Sequence, residues 1–356
     1  MSKPRVIALY LPQFYPFKEN NEWWGKGFTE WTNVGKSKPL FRGHYQPRVP
    51  ADLGYYDLRV PEIREQQAEL AREAGIEGFC YWHYWFGGKQ LLEKPLQQVV
   101  KSGKPDFPFC IGWANESWKA KTWLDQQRKP DRMLIEQTYS PEDDKAHFEA
   151  ILPILKDKRY IQVDGKPLLV VYRPFDLPDP QAWVQRWQEM AKSAGFNGLY
   201  LLGHVAYKKQ IDAVLKMGFD AVNLVPIGDA KRDKSLAFRN LFTLIKHLQG
   251  QSPLVYDYED AIKVFASPIM QREDVVPTIL PNWDHSPRSR MRAFVMHNST
   301  PEAFGNHIAA IKQIVDKKQN QLVMLKSWNE WGEGNYMEPD QTWGKLYIQT
   351  LGAINQ

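Results

Sequence analysis

The stretch LVMLKSWNEWGEGNYMEP, Leu322 to Pro339, decides how the chain folds. It opens on a continuous apolar run with no alternation, which is how a strand buried on both faces reads. Two glutamates three residues apart follow at once, Glu330 and Glu333, set among Trp328, Trp331 and glycines. A solvated surface face rarely surrounds carboxylates with indoles and glycines. A doubly buried strand that ends in carboxylates and rings fits a parallel barrel, whose chemistry gathers where its strands end.

Seven further runs repeat the pattern, at 5–14, 76–86, 108–118, 167–174, 198–205, 221–227 and 275–284. Amphipathic stretches lie between most of them, at 61–75, 141–157, 180–195 and 300–318. Pro61 stands at a helix start and Gly75 at its end, and Thr300 before Pro301 reads as a capped start. Eightfold βα alternation predicts an α/β chain, a single (β/α)8 TIM barrel over residues 1–356. An open doubly wound sheet is the alternative. It would place a Gly-rich phosphate turn after the first strand, and LPQFYPF has none.

Two insertions interrupt the alternation. Residues 15–60 are too long for a plain connection and are expected to fold over the barrel mouth, with Trp24, Phe28, Trp31, His44 and Tyr45 walling a groove. Residues 228–266 contain the basic segment KSLAFRNLFTLIKHL. Lys231, Arg232, Lys234, Arg239 and Lys246 read as a solvated face, with an anionic partner as the other reading.

Composition narrows the function classes. At 43% hydrophobic and 24% charged, 356 residues sustain a large core. A net charge of +5 without a Lys/Arg block makes no case for nucleic acid. No run is long enough for a membrane span, and the N-terminus lacks a signal-peptide pattern, so the expectation is cytoplasmic. Cys80 and Cys110 sit in apolar runs and read as buried thiols. Aromatic residues reach 13%, and indole faces suit the C–H faces of sugars. No H-E-x-x-H, Walker-type loop or G-x-S-x-G elbow is present, and no cofactor or metal is expected.

If the barrel holds, the residues closing each strand converge on one rim. Tyr10 and Gln13 close the first strand, His83 and Trp85 the second, and Trp113, Asn115, Glu116 and Trp118 the third. Arg173, His204 and Asn223 close the next three, and Asn282, Trp283, Asp284 and His285 the seventh. The eighth brings Asn329, Glu330 and Glu333. Two close carboxylates with apolar walls can have their pKa values pushed apart, as an acid–base pair for glycosidic cleavage needs. The bland alternative is a carboxylate pair capping a helix.

The segments GFTEWTNV, FRGHYQPRVPADLGYYDLR, GIEGFCYWHYWF, WANESW and SWNEWGEGNYMEP together resemble the WbsX-like proteins, described as glycoside hydrolase family 99-like. That family was named for glycosyltransferases of lipopolysaccharide and O-antigen loci and is related to (β/α)8 retaining endo-α-mannosidases. The resemblance implies that Asn329, Glu330, Trp331, Glu333 and Gly334 match the hydrolases' Asn-Glu-Trp-x-Glu-Gly motif. It implies Glu330 as a base on the sugar 2-hydroxyl, which attacks the anomeric carbon, and Glu333 as the acid; of the two carboxyls, Glu333 is expected to have the raised pKa. Arg173 departs from the hydrolase pattern, which suggests a charged or differently substituted sugar. The leading reading is a retaining glycoside hydrolase acting on an oligosaccharide or polysaccharide of O-antigen or mannoside type. A glycosyltransferase of the same pathway and a catalytically silent glycan-binding barrel are the alternatives.

Overall fold

The computed structural model describes residues 3–120, 132–239 and 241–355. Eight parallel staves form a barrel: β1 (Arg5–Tyr10), β2 (Gly78–Phe86), β3 (Phe109–Trp113), β4 (Lys166–Val171), β5 (Tyr200–Val205), β6 (Ala221–Leu224), β7 (Val275–Val276 and Thr278–Ile279) and β8 (Leu322–Leu325). Each falls within one of the eight apolar runs, except that β4 begins one residue earlier, at Lys166. The runs are continuous because both faces are covered, one by the barrel interior and the other by helices.

β1 pairs with β2 on one side and β8 on the other, in the register Ile7 opposite Gly78 and Met324. Closure happens at β7, where Pro277 divides the strand. Val275 and Val276 pair with β6, and Thr278 and Ile279 with β8. Proline has no N–H to give, but its carbonyl accepts from Met324 at 3.0 Å. The side chain of Asn223, fully buried on β6, spans the break. Its Nδ2 donates to the Val276 carbonyl at 3.1 Å and to Thr278 Oγ1 at 2.8 Å.

The outer helices start as their sequences require. Pro61–Glu73, Pro141–Leu155, Pro180–Ser193 and Pro301–Val315 all carry Pro in the first turn. Ser140, Asp179 and Thr300 accept from the backbone N–H three residues on, which satisfies groups the helix cannot pair itself. Cys80 and Cys110 are buried free thiols.

Both insertions lie at the C-terminal end of the barrel. The first folds into helices Lys18–Trp24 and Glu30–Lys36, of which Glu30–Lys36 packs on the turn after β8. The second insertion forms short helices and a strand, Leu254–Asp257, in a small sheet with Trp283–Asp284 and Phe294–His297. The side chain of Arg239 lies outside the described residues.

Closure gives a stability test. Asn223→Ala strands the Val276 carbonyl and removes the oxygen facing His204 Nδ1 at 3.0 Å. Each buried partner left unpaired should cost about 1–3 kcal/mol, read as a lower urea midpoint with unchanged far-ultraviolet dichroism.

Candidate active site

β8 ends just before Lys326, and a tight turn brings Glu330 and Glu333 over the barrel mouth. Gly334 makes that turn possible with φ +67°, and a Cβ there would come within 2.8 Å of the Asp284 Cβ. Gly332 is needed for a different reason: its Cβ would stand 2.5 Å from Glu30 Oε2 and 2.9 Å from Arg288 Nε. The chain is thinned there to let those two side chains in.

Arg288, on the short helix Ser286–Ser289 after β7, holds the carboxylates together. Its Nη1 donates to Glu333 Oε1 at 2.8 Å, its Nη2 to Glu330 Oε1, and its Nε to Glu30 Oε2 at 3.1 Å. Lys326 Nζ meets the other oxygen of Glu333 at 3.3 Å and lies over the Trp283 ring. Burial opposes the charge of Arg288, but the three carboxylates hold its pKa well above the ordinary value. Burial pushes Glu330 up to about 7; Glu333 and Glu30 add to this, while Arg288 and Lys326 oppose it. Burial therefore raises the carboxyl of Glu330, the expected base.

These groups form part of the lining of a cleft of about 430 Å³. Its aromatic walls come from Trp24 and Phe28 of the first insertion, Trp82 and Tyr84 of β2, Trp118 and Tyr172. Gln13 and Glu116 also face it. Of the residues expected from the long loop, Trp24 and Phe28 reach the cleft. Trp31 stands behind it, 5.4 Å from the Trp331 ring, with Nε1 on the Tyr56 carbonyl at 2.8 Å. Tyr45 lies beneath the Arg48 guanidinium.

Several strand-end residues point away, and the reason is parity. Side chains alternate along a strand, so neighbours face opposite sides. Trp82 and Tyr84 line the cleft, which sends His83 and Trp85 outward. His83 meets His147 at 2.9 Å in a buried layer and borders a separate cavity of about 410 Å³. Burial lowers the His83 pKa to about 4. Trp85 stacks on His147 at 4.8 Å and donates to Asp143, and Trp113 stacks on Trp183 and Trp187. Tyr10 also faces outward and donates to Gln67 Oε1 at 2.7 Å. These four are packing residues of the barrel wall.

Other expected residues brace the site. Asn329 clamps Leu11, accepting from its N–H at 2.7 Å and donating to its carbonyl at 3.0 Å. Asn115 does the same for Arg173, accepting from its N–H at 2.7 Å and donating to its carbonyl at 3.0 Å. Arg173 itself is half exposed and faces Asp176 at 3.3 Å and Glu116 at 3.9 Å. Asp284 is fully buried beside His44 Nε2 at 2.9 Å and Gln46 Nε2 at 2.6 Å, tying the first insertion to β7. His204 sits below the cleft against Tyr172, its pKa lowered to about 3 by burial and by Lys326.

Sequence reasoning missed Arg288, Glu30 and Lys326. Arg288 lies in SPRSRMR, where nothing in the spacing separates it from Arg290 and Arg292, whose side chains are not part of the cluster. Glu30 was visible as the acid opening the helix after Thr29. Lys326 follows β8 directly and was the readable omission.

The chain is thus a closed (β/α)8 barrel with a carboxylate pair at its C-terminal mouth. The family model described as glycosyltransferase WbsX matches residues 6–351, and the chain belongs to that family. It is 34% identical over 348 residues to the uncharacterized protein WxcX of Xanthomonas campestris pv. campestris, covering 96% of this chain. The chain spans about half of that relative's length, 48%. The fold is similar to the GH99 endo-alpha-mannosidase from Bacteroides thetaiotaomicron, with TM-score 0.60 at 13% identity over 99% of this chain and 96% of that one. It is equally similar to a glycoside hydrolase-like protein, with TM-score 0.60 at 14% identity over 99% and 94%.

Removing the guanidinium tests the cluster. A carboxyl whose folded pKa exceeds its unfolded value costs stability as pH rises between the two, here from about 4.5 to about 7 for Glu330. Arg288→Met leaves three carboxylates facing one another, so the midpoint should move above 7 and the loss should extend to alkaline pH. The difference in urea midpoint between variant and parent should therefore be larger at about pH 8.5 than at about pH 5.

Proposed function

We propose that this protein is a glycoside hydrolase acting on an oligosaccharide or polysaccharide through Glu330 and Glu333. The observation that carries the reading is a carboxyl with a pKa near 7, bridged to a second carboxylate by Arg288, in an aromatic-walled cleft at the barrel mouth. A base works best when its pKa lies near the working pH. Glu330 takes the proton of the sugar 2-hydroxyl as that oxygen closes on the anomeric carbon. Glu333 gives a proton to the departing glycosidic oxygen. Water then opens the strained ring at the anomeric carbon: Glu333 takes a proton from that water, and Glu330 gives its proton back to the sugar 2-oxygen. Retention of configuration follows from two successive inversions. Trp82, Tyr84 and Trp118 supply faces for the pyranose rings. Similarity to an endo-alpha-mannosidase fold supports a mannoside-type substrate, and the family description keeps a glycosyltransferase as the second reading.

The role of Glu330 fixes the sign of the pH dependence. As a base it acts ionised, so kcat/KM should rise with pH through a midpoint near 7. A falling limb at that midpoint would make Glu330 the acid instead. Glu330→Gln and Glu333→Gln should each cost about two to four orders of magnitude in rate with substrate binding largely kept. An activated aryl mannoside should partly rescue Glu333→Gln, because its leaving group needs little protonation, and should not rescue Glu330→Gln. Full turnover by both variants would remove the assignment. Measured transfer to a sugar acceptor without hydrolysis would favour the transferase.

A further inference from the structure

The second insertion carries an apolar stripe that the fold leaves uncovered. In helices Lys234–Arg239 and Leu241–Leu248, Phe238 is 77% exposed, Phe242 69% and Leu248 76%, with Leu241 and Ile245 exposed between them. This is not the face that packs on the protein. Leu236 is buried and Leu244 packs against the second apolar cluster. Thr243 Oγ1 donates to the Val255 carbonyl at 2.9 Å, and His247 Nδ1 meets the Ser252 carbonyl at 3.0 Å. The segment therefore has one apolar face packed inward and another turned to solvent. The solvated basic face expected from the sequence is in fact a mixed apolar and basic surface.

The two helices that carry the stripe hold charge of one sign. Residues 234–248 contain no Asp or Glu. The nearest acids in the chain are engaged locally: Asp233 accepts from the N–H groups of Ser235 and Leu236, and Asp229 from that of Lys208. Lys231, Arg232 and Lys234 are exposed beside the stripe, and Lys246 Nζ lies 4.3 Å from the centre of the Phe242 ring. Lys208 and Lys209, on the turn after β5, add two more exposed cations at the same end of the barrel.

We infer that this segment is a docking surface for an anionic lipid bilayer, with Phe238, Phe242 and Leu248 entering the interface and the surrounding cations meeting lipid phosphates. Exposed apolar rings flanked by lysine and arginine, without acids, are what an interfacial helix needs. Neighbouring cations add attraction to an anionic leaflet. Among the described residues no helix is long and apolar enough to cross a bilayer, so the contact is peripheral. The insertion leaves the barrel after β6, at the end where the cleft opens. Docking there holds the cleft end close to the membrane surface.

Flotation of the full chain with vesicles tests this. Vesicles of phosphatidylcholine with about a third phosphatidylglycerol should carry the protein up, and pure phosphatidylcholine vesicles should not. Phe242→Ser with Leu248→Ser should lower partitioning about tenfold or more, since the apolar contact is lost. Lys231→Glu with Lys234→Glu should lower it too, and raised salt should mimic that loss. Both pairs are exposed, so unchanged thermal unfolding is expected alongside. Absence of flotation with anionic vesicles would overturn the inference. So would equal binding to neutral vesicles, or flotation that survives both double substitutions. Sedimentation decides the other occupant: a dimer of this chain that dissociates on Phe242→Ser with Leu248→Ser would assign the stripe to a second copy and overturn the membrane reading.

Discussion

A single buried guanidinium holds the mouth of this barrel together. Arg288 is met by Glu30 from the insertion after β1 and by Glu330 and Glu333 from the turn after β8, while it comes itself from the turn after β7. These are the ends of three adjacent staves, because β8 lies between β7 and β1. The cluster can form only if the barrel closes at the divided seventh strand. Its charges explain its acidity. Three carboxylates face two cations, Arg288 and Lys326, with side chains no more than 17% exposed, so the excess charge is weakly screened. Glu333 has a cation on each oxygen, whereas Glu330 shares Arg288 with Glu30. Burial is the first reason Glu330 rises to about 7, with the neighbouring Glu333 and Glu30 adding to it.

A second carboxyl shows that a raised pKa does not by itself mark a site. Burial pushes Glu338 up to about 7 as well, but its partners are neutral donors: Trp331 Nε1 at 2.6 Å, Gln67 Nε2 at 2.6 Å and Tyr56 Oη at 2.9 Å. It does not line the cleft. It anchors Trp331, which stacks on Tyr336 at 3.7 Å and sets the turn between the two site glutamates. One buried carboxyl faces the cleft and the other fixes the backbone beside it, and only access distinguishes them.

The barrel was legible because its signal is periodic and repeated. Eight apolar runs gave eight staves, and the Pro61, Ser140, Asp179 and Thr300 regions began helices through local chemistry. The glutamates at the end of β8 were legible because strand ends converge in this fold. What was not legible was which of two neighbours faces inward. An apolar run buried on both sides has no alternation to set its phase, so His83 and Trp85 were chosen where Trp82 and Tyr84 line the cleft. Aromatic content misled in the same way, since Trp113, Trp183 and Trp187 stack outside the barrel. Arg288 was hidden for a different reason: its partners lie 42, 45 and 258 residues away, and no local pattern encodes such contacts.

The rim divides its work by stave. The turns after β1, β7 and β8 are tied down by buried charge: Arg288 to its carboxylates, and Asp284 to His44 and Gln46. Such contacts are costly to break singly, because each partner left behind is an unpaired buried group. That makes this half of the rim rigid where geometry matters for chemistry. The helices after β6 turn Phe238, Phe242 and Leu248 to solvent on their outer face. The barrel thus presents a fixed, polar, enclosed half and an open, apolar, basic half at one end. Under the two proposals, a glycan held by the first half and a membrane surface touched by the second would approach the barrel from the same side.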